Sequence, residues 1–91
     1  MNDGELPPIP VRSPRQLGQA LARLRGLRGV TQLGVSRSAG VRQPTVSSVE
    51  SGAPGTELAT VFALLAALDL ELVVRERVKR VAPPESRVDG G

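Results

Sequence analysis

The fold is decided by residues 31–52, which read TQLGVSRSAGVRQPTVSSVESG. Thr31 is suited to cap a short helix over about residues 32–38, because its hydroxyl accepts a hydrogen bond from a free amide of the first turn. Gly40 stands at the pivot of a tight turn, and another short helix follows over about residues 43–51. Two helices joined by a glycine turn at this spacing predict a helix-turn-helix, whose later helix enters the major groove of DNA.

A longer amphipathic helix precedes this unit. Ser13 is placed to cap it, and Pro14 fits the first helical position, where no intrahelical amide bond is lost. Gly29 is expected to end the helix by adopting a positive φ. The apolar residues of this helix recur at intervals of three and four: Leu17, Ala20, Leu21, Leu24 and Leu27. That stripe predicts the face that packs on the core.

A fourth helix is predicted further along the chain, with Thr56 as its cap. Its apolar stripe consists of Leu58, Val61, Phe62, Leu65 and Leu68. Beyond it the period changes to two, so that Leu70, Leu72 and Val74 share one face of a strand. A lone strand cannot satisfy its backbone groups, and the sequence predicts no second strand. We therefore expect this strand to pair with its copy across the two-fold axis of a homodimer.

These elements predict a mainly α protein of four to five helices with one C-terminal β-strand. Residues 1–12 are expected to form a flexible N-terminal arm, since they contain three prolines and little periodicity. Residues 13–69 form the predicted helix-turn-helix domain, and residues 70–78 form the dimerisation strand. Residues 79–91 are expected to be a disordered tail.

Charge is distributed unevenly along the chain, whose formal net charge is +3. No acidic residue occurs between positions 12 and 49, while this block contains the arginines Arg12, Arg15, Arg23, Arg25, Arg28, Arg37 and Arg42. A positive potential over short helices, without acidic residues to offset it, favours binding to the phosphate backbone of a nucleic-acid duplex. A glycine-pivoted helix corner also occurs in plain helical cores, but the acid-free surroundings favour a DNA-binding role.

Composition excludes several other classes of protein. The chain has no Cys and no His, which removes thiolate nucleophiles, imidazole bases and most zinc sites, so we expect no catalytic residues, no metal and no cofactor. A single Phe is the only aromatic residue, which disfavours folds that stack single-stranded bases. The acidic N-terminus is unlike an export signal, and no apolar stretch reaches membrane-spanning length. The predicted location is the bacterial cytoplasm, at the nucleoid, with no membrane partner.

The start of the helix over residues 43–51 is the end that meets base edges. Gln43 can form a bidentate pair with adenine, and Arg42 can pair with guanine or a phosphate. Pro44 and Thr45 can press apolar carbons on a thymine methyl. The remaining candidates on this helix are Ser47 and Ser48, and the sequence leaves open which of the two faces the groove.

At these residues the chain resembles the lambda-repressor-like helix-turn-helix family, also called the Cro/C1 or XRE type. Its pattern is met by Thr31-Gln32, by Gly40-Val41 and by Val46-Ser47-Ser48-Val49-Glu50-Ser51-Gly52. More narrowly, the chain is similar to HipB-type antitoxins through Ser13-Pro14-x-Gln16-Leu17, Gly40-Val41-Arg42-Gln43, Leu58-x-Thr60-x-Phe62 and Leu65-x-x-Leu68-x-Leu70. The resemblance spans about residues 12–75.

The resemblance implies further residue roles. It makes Gln32 a phosphate clamp at the start of its helix, and it pairs Arg25 with Glu50 in a partly buried structural ion pair. Two positions depart from the family pattern: Gly34 replaces an acidic residue, and Ser36 replaces a small apolar one. Both departures are expected to loosen the helix over residues 32–38, the glycine by about 1 kcal/mol.

The resemblance also implies the function. It predicts a dimeric, sequence-specific repressor that binds a palindromic double-stranded DNA operator, controls its own operon and neutralises a HipA-like kinase toxin. Two other functions stay open at this point. One is a solitary XRE-family transcription regulator without a toxin, and the other is a protein-binding adaptor whose basic face is incidental.

Overall fold

The computed structural model describes residues 6–78, and four helices lie within them. They are α1 (Pro14–Leu27), α2 (Gln32–Ala39), α3 (Gln43–Glu50) and α4 (Leu58–Ala67). The predicted mainly α helix-turn-helix fold is confirmed, with four helices and bounds close to those expected. Residues 1–5 of the predicted arm and the predicted tail, residues 79–91, lie outside the described residues.

The helix ends follow the signals in the sequence. The hydroxyl oxygens of Ser13 and Thr31 accept hydrogen bonds from the amides of Gln16 and Gly34, at 3.0 and 2.9 Å. Gly29 has a φ of +69°, and the following amide bonds back to the carbonyl of Arg25 at 3.1 Å, as in a Schellman C-cap. The caps therefore fix where α1 stops and where α2 begins.

The four helices pack around one small core. The buried apolar side chains come from all of them: Leu21, Val35, Val46, Val49, Val61, Leu64, Leu65 and Leu68. α1 packs on α3, while α2 packs on both α3 and α4. Val46 and Val49 lie inward, so the opposite face of α3 is left on the surface.

Two predictions for α4 are wrong. Its N-cap residue is Glu57, and the hydroxyl of Thr56 instead donates a hydrogen bond to the carbonyl of Ala53 at 3.0 Å. Leu58 and Phe62 were predicted to face the core, but they are 70% and 50% exposed. Leu64 takes the inward position. Almost every residue of this helix is apolar, so a three- and four-residue repeat can be drawn along more than one face.

The segment after α4, which was predicted to be a strand over residues 70–78, is extended coil, and no strand is present within the residues that the structure describes. A strand that needs a second copy to pair with cannot form its hydrogen bonds in a single chain. Val74 is 91% exposed there. The N-terminal arm lies beside this segment, and the guanidinium of Arg12 donates a hydrogen bond to the carbonyl of Val78 at 3.2 Å. A groove of about 210 Å³ lies between the N-terminal arm, α1 and the segment after α4. Apolar residues such as Ile9, Leu24 and Leu72 line this groove.

Two glycines allow the backbone of α1 to lie directly against α3 and the turn that follows it. A Cβ atom added to Gly18 would lie 2.3 Å from the carbonyl oxygen of Val49. One added to Gly52, whose φ is +88°, would lie 2.7 Å from the Cα atom of Arg15. Both contacts are with backbone, which cannot move aside as a flexible side chain can.

We predict that Gly18→Ala lowers the free energy of unfolding by about 1–3 kcal/mol, because the added methyl group forces α1 away from α3. Gly26→Ala is the matched control in the same helix. A Cβ at Gly26 meets nothing within 4 Å, so this change should leave stability equal or slightly higher. Urea unfolding followed by circular dichroism measures both, and equal midpoints for the two variants would contradict the close approach.

Candidate nucleic-acid interface

The outer face of α3 brings the sequence-predicted site residues together on the surface. Arg42, Gln43, Pro44, Ser47 and Ser48 are exposed, and Thr45 is half-buried. None of them is covered by another part of the described chain. The opposite face of α3 is fixed to the core by its two buried valines, Val46 and Val49. The face is therefore free to enter a groove.

The turn between α2 and α3 aims the start of α3 outward. Gly40 has a φ of +72°, a left-handed conformation that favours glycine, and the amide of Val41 bonds back to the carbonyl of Ser36 at 3.0 Å. Arg42 is the N-cap of α3 and makes no side-chain cap bond. Its guanidinium is thus available for a base or a phosphate.

An ion pair lies behind this face. The Nε of Arg25 donates to one carboxylate oxygen of Glu50 at 2.6 Å, and its Nη2 donates to the other at 3.0 Å. Its Nη1 donates to the carbonyl of Val30 at 2.8 Å. The contact is bidentate and partly buried, and it joins the end of α1 to the end of α3. This is the arrangement that the family resemblance implied.

Gln32 connects the ion pair to the outer face. Its Nε2 donates to the Oε1 of Glu50 at 2.9 Å, and its Oε1 accepts from the Nε2 of Gln43 at 3.4 Å, a long hydrogen bond. Gln32 is the first residue of α2, where the resemblance placed a phosphate clamp. The sequence did not reveal the link to Glu50, because the two residues are 18 positions apart on different helices.

The basic block is solvent-accessible and almost free of negative charge. Arg25 is neutralised by Glu50, the first acid after position 5. The other arginines of the block are all exposed: Arg12, Arg15, Arg23, Arg28, Arg37 and Arg42. The described surface from α1 to α3 therefore has a positive potential that no exposed carboxylate of its own helices offsets.

The ion pair shifts both of its pKa values. Burial alone would raise the pKa of Glu50, but hydrogen bonds from Arg25 and Gln32, with the charge of Arg25, lower that pKa below its ordinary value. The hydrogen bond to Glu50 raises the pKa of Arg25. Both shifts favour the charged pair, so Glu50 is an anion at neutral pH.

Other kinds of site find no support in the described residues. Between residues 6 and 78, no group of three or more His, Cys, Asp or Glu side chains is placed to hold a metal ion. None of the helices found there is long and apolar enough to cross a membrane.

Residues 16–78 match the family described as Helix-turn-helix domain. Antitoxin HipB of Escherichia coli strain K12 is 33% identical to the chain over 76 residues, which are 84% of the chain and 84% of that antitoxin. The chain belongs to the HipB-type helix-turn-helix family. The HipB–O4 20mer complex has a similar fold, with a TM-score of 0.71 and 31% identity over 75% of this chain and 96% of HipB. The HipA–HipB–O2–O3 complex matches with the same TM-score, identity and coverage.

We predict that Glu50→Gln lowers stability at pH 7 by about 1–2 kcal/mol and removes part of the acid sensitivity of the fold. The folded-state pKa of Glu50 is lowered, so its contribution is complete above its unfolded pKa, about 4.3. That contribution is lost as the pH falls through the folded-state pKa.

Urea unfolding at pH 7 and at pH 3 measures this effect. The difference between wild type and Glu50→Gln should shrink strongly at pH 3. Glu71→Gln, which changes an exposed side chain, is the control. A wild-type advantage over Glu50→Gln that is equal at both pH values would contradict the assignment of this pair.

Proposed function

We propose that this protein is a sequence-specific double-stranded DNA-binding repressor of the HipB type, which acts as a homodimer and as the antitoxin of a HipBA-like operon. The observation that carries the proposal is the exposed outer face of α3, backed by its two valines and flanked by exposed arginines. The likeness to Antitoxin HipB and to its 20mer complex supports the same function.

The side chains on α3 have the chemistry of base readout. Gln43 offers a donor and an acceptor together, which suits adenine, while Arg42 suits guanine or a phosphate. Pro44 and the half-buried Thr45 provide carbon surface for a thymine methyl. Ser47 and Ser48 are both exposed, so each can reach a base or a phosphate. Together they form the proposed reading surface.

The contacts to the DNA phosphates would come from the exposed arginines and from the start of α2. Their number sets the salt dependence of binding, since each phosphate neutralised releases condensed counterions. Gln32 would touch a phosphate while its amide stays bonded to Glu50 and Gln43. Because Gln32 would contact a phosphate while bonded to Gln43, it would fix the distance between that phosphate contact and the base contact of Gln43.

The segment of residues 70–78 would complete the dimer. Leu70 packs against the core, whereas Leu72 and Val74 are exposed in a single chain. Pairing of this segment with its copy would satisfy its backbone and cover the adjoining groove. A two-fold dimer would place two α3 helices on half-sites of a palindromic operator, one helical turn or a multiple of it apart.

The antitoxin role adds a protein partner. The HipA–HipB–O2–O3 complex shows that a relative of the same fold assembles with HipA. We propose a HipA-like kinase toxin as the partner of this chain, and control of their shared operon by the complex. The protein would have no enzymatic activity of its own and would act in the cytoplasm, on the nucleoid.

We predict that the protein binds DNA from upstream of its own operon, with an affinity that falls steeply as salt rises. Gln43→Ala should cost about 1–3 kcal/mol of binding free energy and relax discrimination at one base position. Fluorescence anisotropy with labelled duplexes measures both effects. Gln19→Ala removes an exposed glutamine from α1 and is the matched control. Binding that ignores salt, or equal losses in both variants, would refute the reading surface.

We predict that the protein is a dimer at micromolar concentration. Val74→Asp should convert it to a monomer, because the new charge would be buried where residues 70–78 pair with their copy. Leu58→Asp is the control, since it places the same charge on an apolar side chain of α4 that is 70% exposed. Analytical ultracentrifugation distinguishes the species. A folded wild-type monomer under these conditions would exclude the shared strand.

A further inference from the structure

A single series of hydrogen bonds runs from Arg25 on α1 through Glu50 and Gln32 to Gln43 on the DNA-facing side of α3. We infer that the Arg25–Glu50 pair fixes the direction of this series and thereby the orientation of the Gln43 amide. Glu50 is then a positioning residue for base choice, although it lies behind the DNA-facing side of α3. This inference rests on the proposed function and assigns the ion pair a role beyond stability.

The direction of the series is set at its inner end. A guanidinium can only donate hydrogen bonds, and an ionised carboxylate can only accept them. Both oxygens of Glu50 are already engaged by Arg25, and Oε1 accepts a second bond from Gln32. Gln32 must therefore turn its NH₂ group toward Glu50. Its carbonyl oxygen then points the other way.

The same argument orients the outer residue. The carbonyl oxygen of Gln32 can only accept, so Gln43 must turn its own NH₂ group toward it, as the 3.4 Å contact shows. One N–H and the carbonyl oxygen of Gln43 remain free on an exposed side chain. Without the series, the amide of Gln43 would have two orientations of almost equal shape and energy.

A fixed orientation has a consequence for base choice. In the major groove adenine presents an acceptor, N7, beside a donor, the N6 amino group, whereas guanine presents two acceptors. An amide held in one orientation matches the first pattern and opposes its carbonyl to the second. An amide free to turn over can present its NH₂ group to any acceptor, so it discriminates less. This series of hydrogen bonds from Arg25 to Gln43, which we call the relay, thus strengthens the preference for adenine at one base pair.

Two substitutions interrupt the relay at different points. Glu50→Gln keeps the shape of the side chain but replaces an obligate acceptor with an amide that can donate or accept. Gln32→Met keeps the length of the side chain, leaves the ion pair in place and removes both amide contacts. The variant Val61→Ala is the structural control, because it removes buried side-chain carbon from α4, a helix that carries no residue of the relay.

The decisive measurement is the affinity of each protein for the operator duplex and for duplexes with a single base pair replaced in the half-site. For Glu50→Gln and Gln32→Met, the preference at the position read by Gln43 should fall by about fivefold or more, while preferences elsewhere stay unchanged. Val61→Ala should weaken all duplexes by one common factor. All proteins are compared at a temperature where unfolding curves show them folded.

Equal weakening of every duplex by the two relay variants would overturn the inference and leave the proposed function standing. A wild-type protein that binds no duplex would refute the proposed function instead. The relay itself has a readout without DNA: nuclear magnetic resonance of the side-chain amides of Gln32 and Gln43. Both NH₂ groups should show hydrogen-bonded shifts in the wild type, and Glu50→Gln should move both. If the Gln43 signals stay unchanged in Glu50→Gln, the inference fails.

Discussion

The carboxylate of Glu50 connects three helices of this small domain. It closes α3, receives the guanidinium of Arg25 from α1, and receives the amide of Gln32 from the first residue of α2. The eight buried apolar side chains found among residues 6–78 form a small core, which leaves little margin for an unpaired charge at this place. Through Gln32, the same carboxylate is also connected to Gln43, so one group takes part both in the packing of the domain and in the proposed reading surface.

The helices could be predicted from the sequence because their signals are local. Ser13 and Thr31 cap the helices that they precede, and Gly29 and Gly40 adopt the left-handed backbone that ends a helix. The exposed candidates on α3 follow from the same logic, since its two valines define the buried face. Short-range periodicity and caps were sufficient for this part of the structure.

The features that sequence reasoning missed depend on tertiary contacts. Phe62 was assigned to the core, but α4 is apolar on most of its circumference, so its repeat does not define one face. Gly18 gave no signal of the backbone contact that it permits, and the bond from Gln32 to Glu50 joins residues on different helices. The predicted strand over residues 70–78 is not formed in the described chain, and the pairing proposed for it needs a second copy that a single chain does not contain.

Gly40 and Gly52 act at opposite ends of α3. The first fixes the entry of the chain by its left-handed turn, and the second seats the exit turn on the backbone of Arg15. Because Gly52 lies so close to Arg15, a shift of α3 along its own axis would break the contact between its exit turn and α1. The proposed DNA contacts would then depend on how the whole domain approaches the duplex, rather than on movement of α3 within the domain.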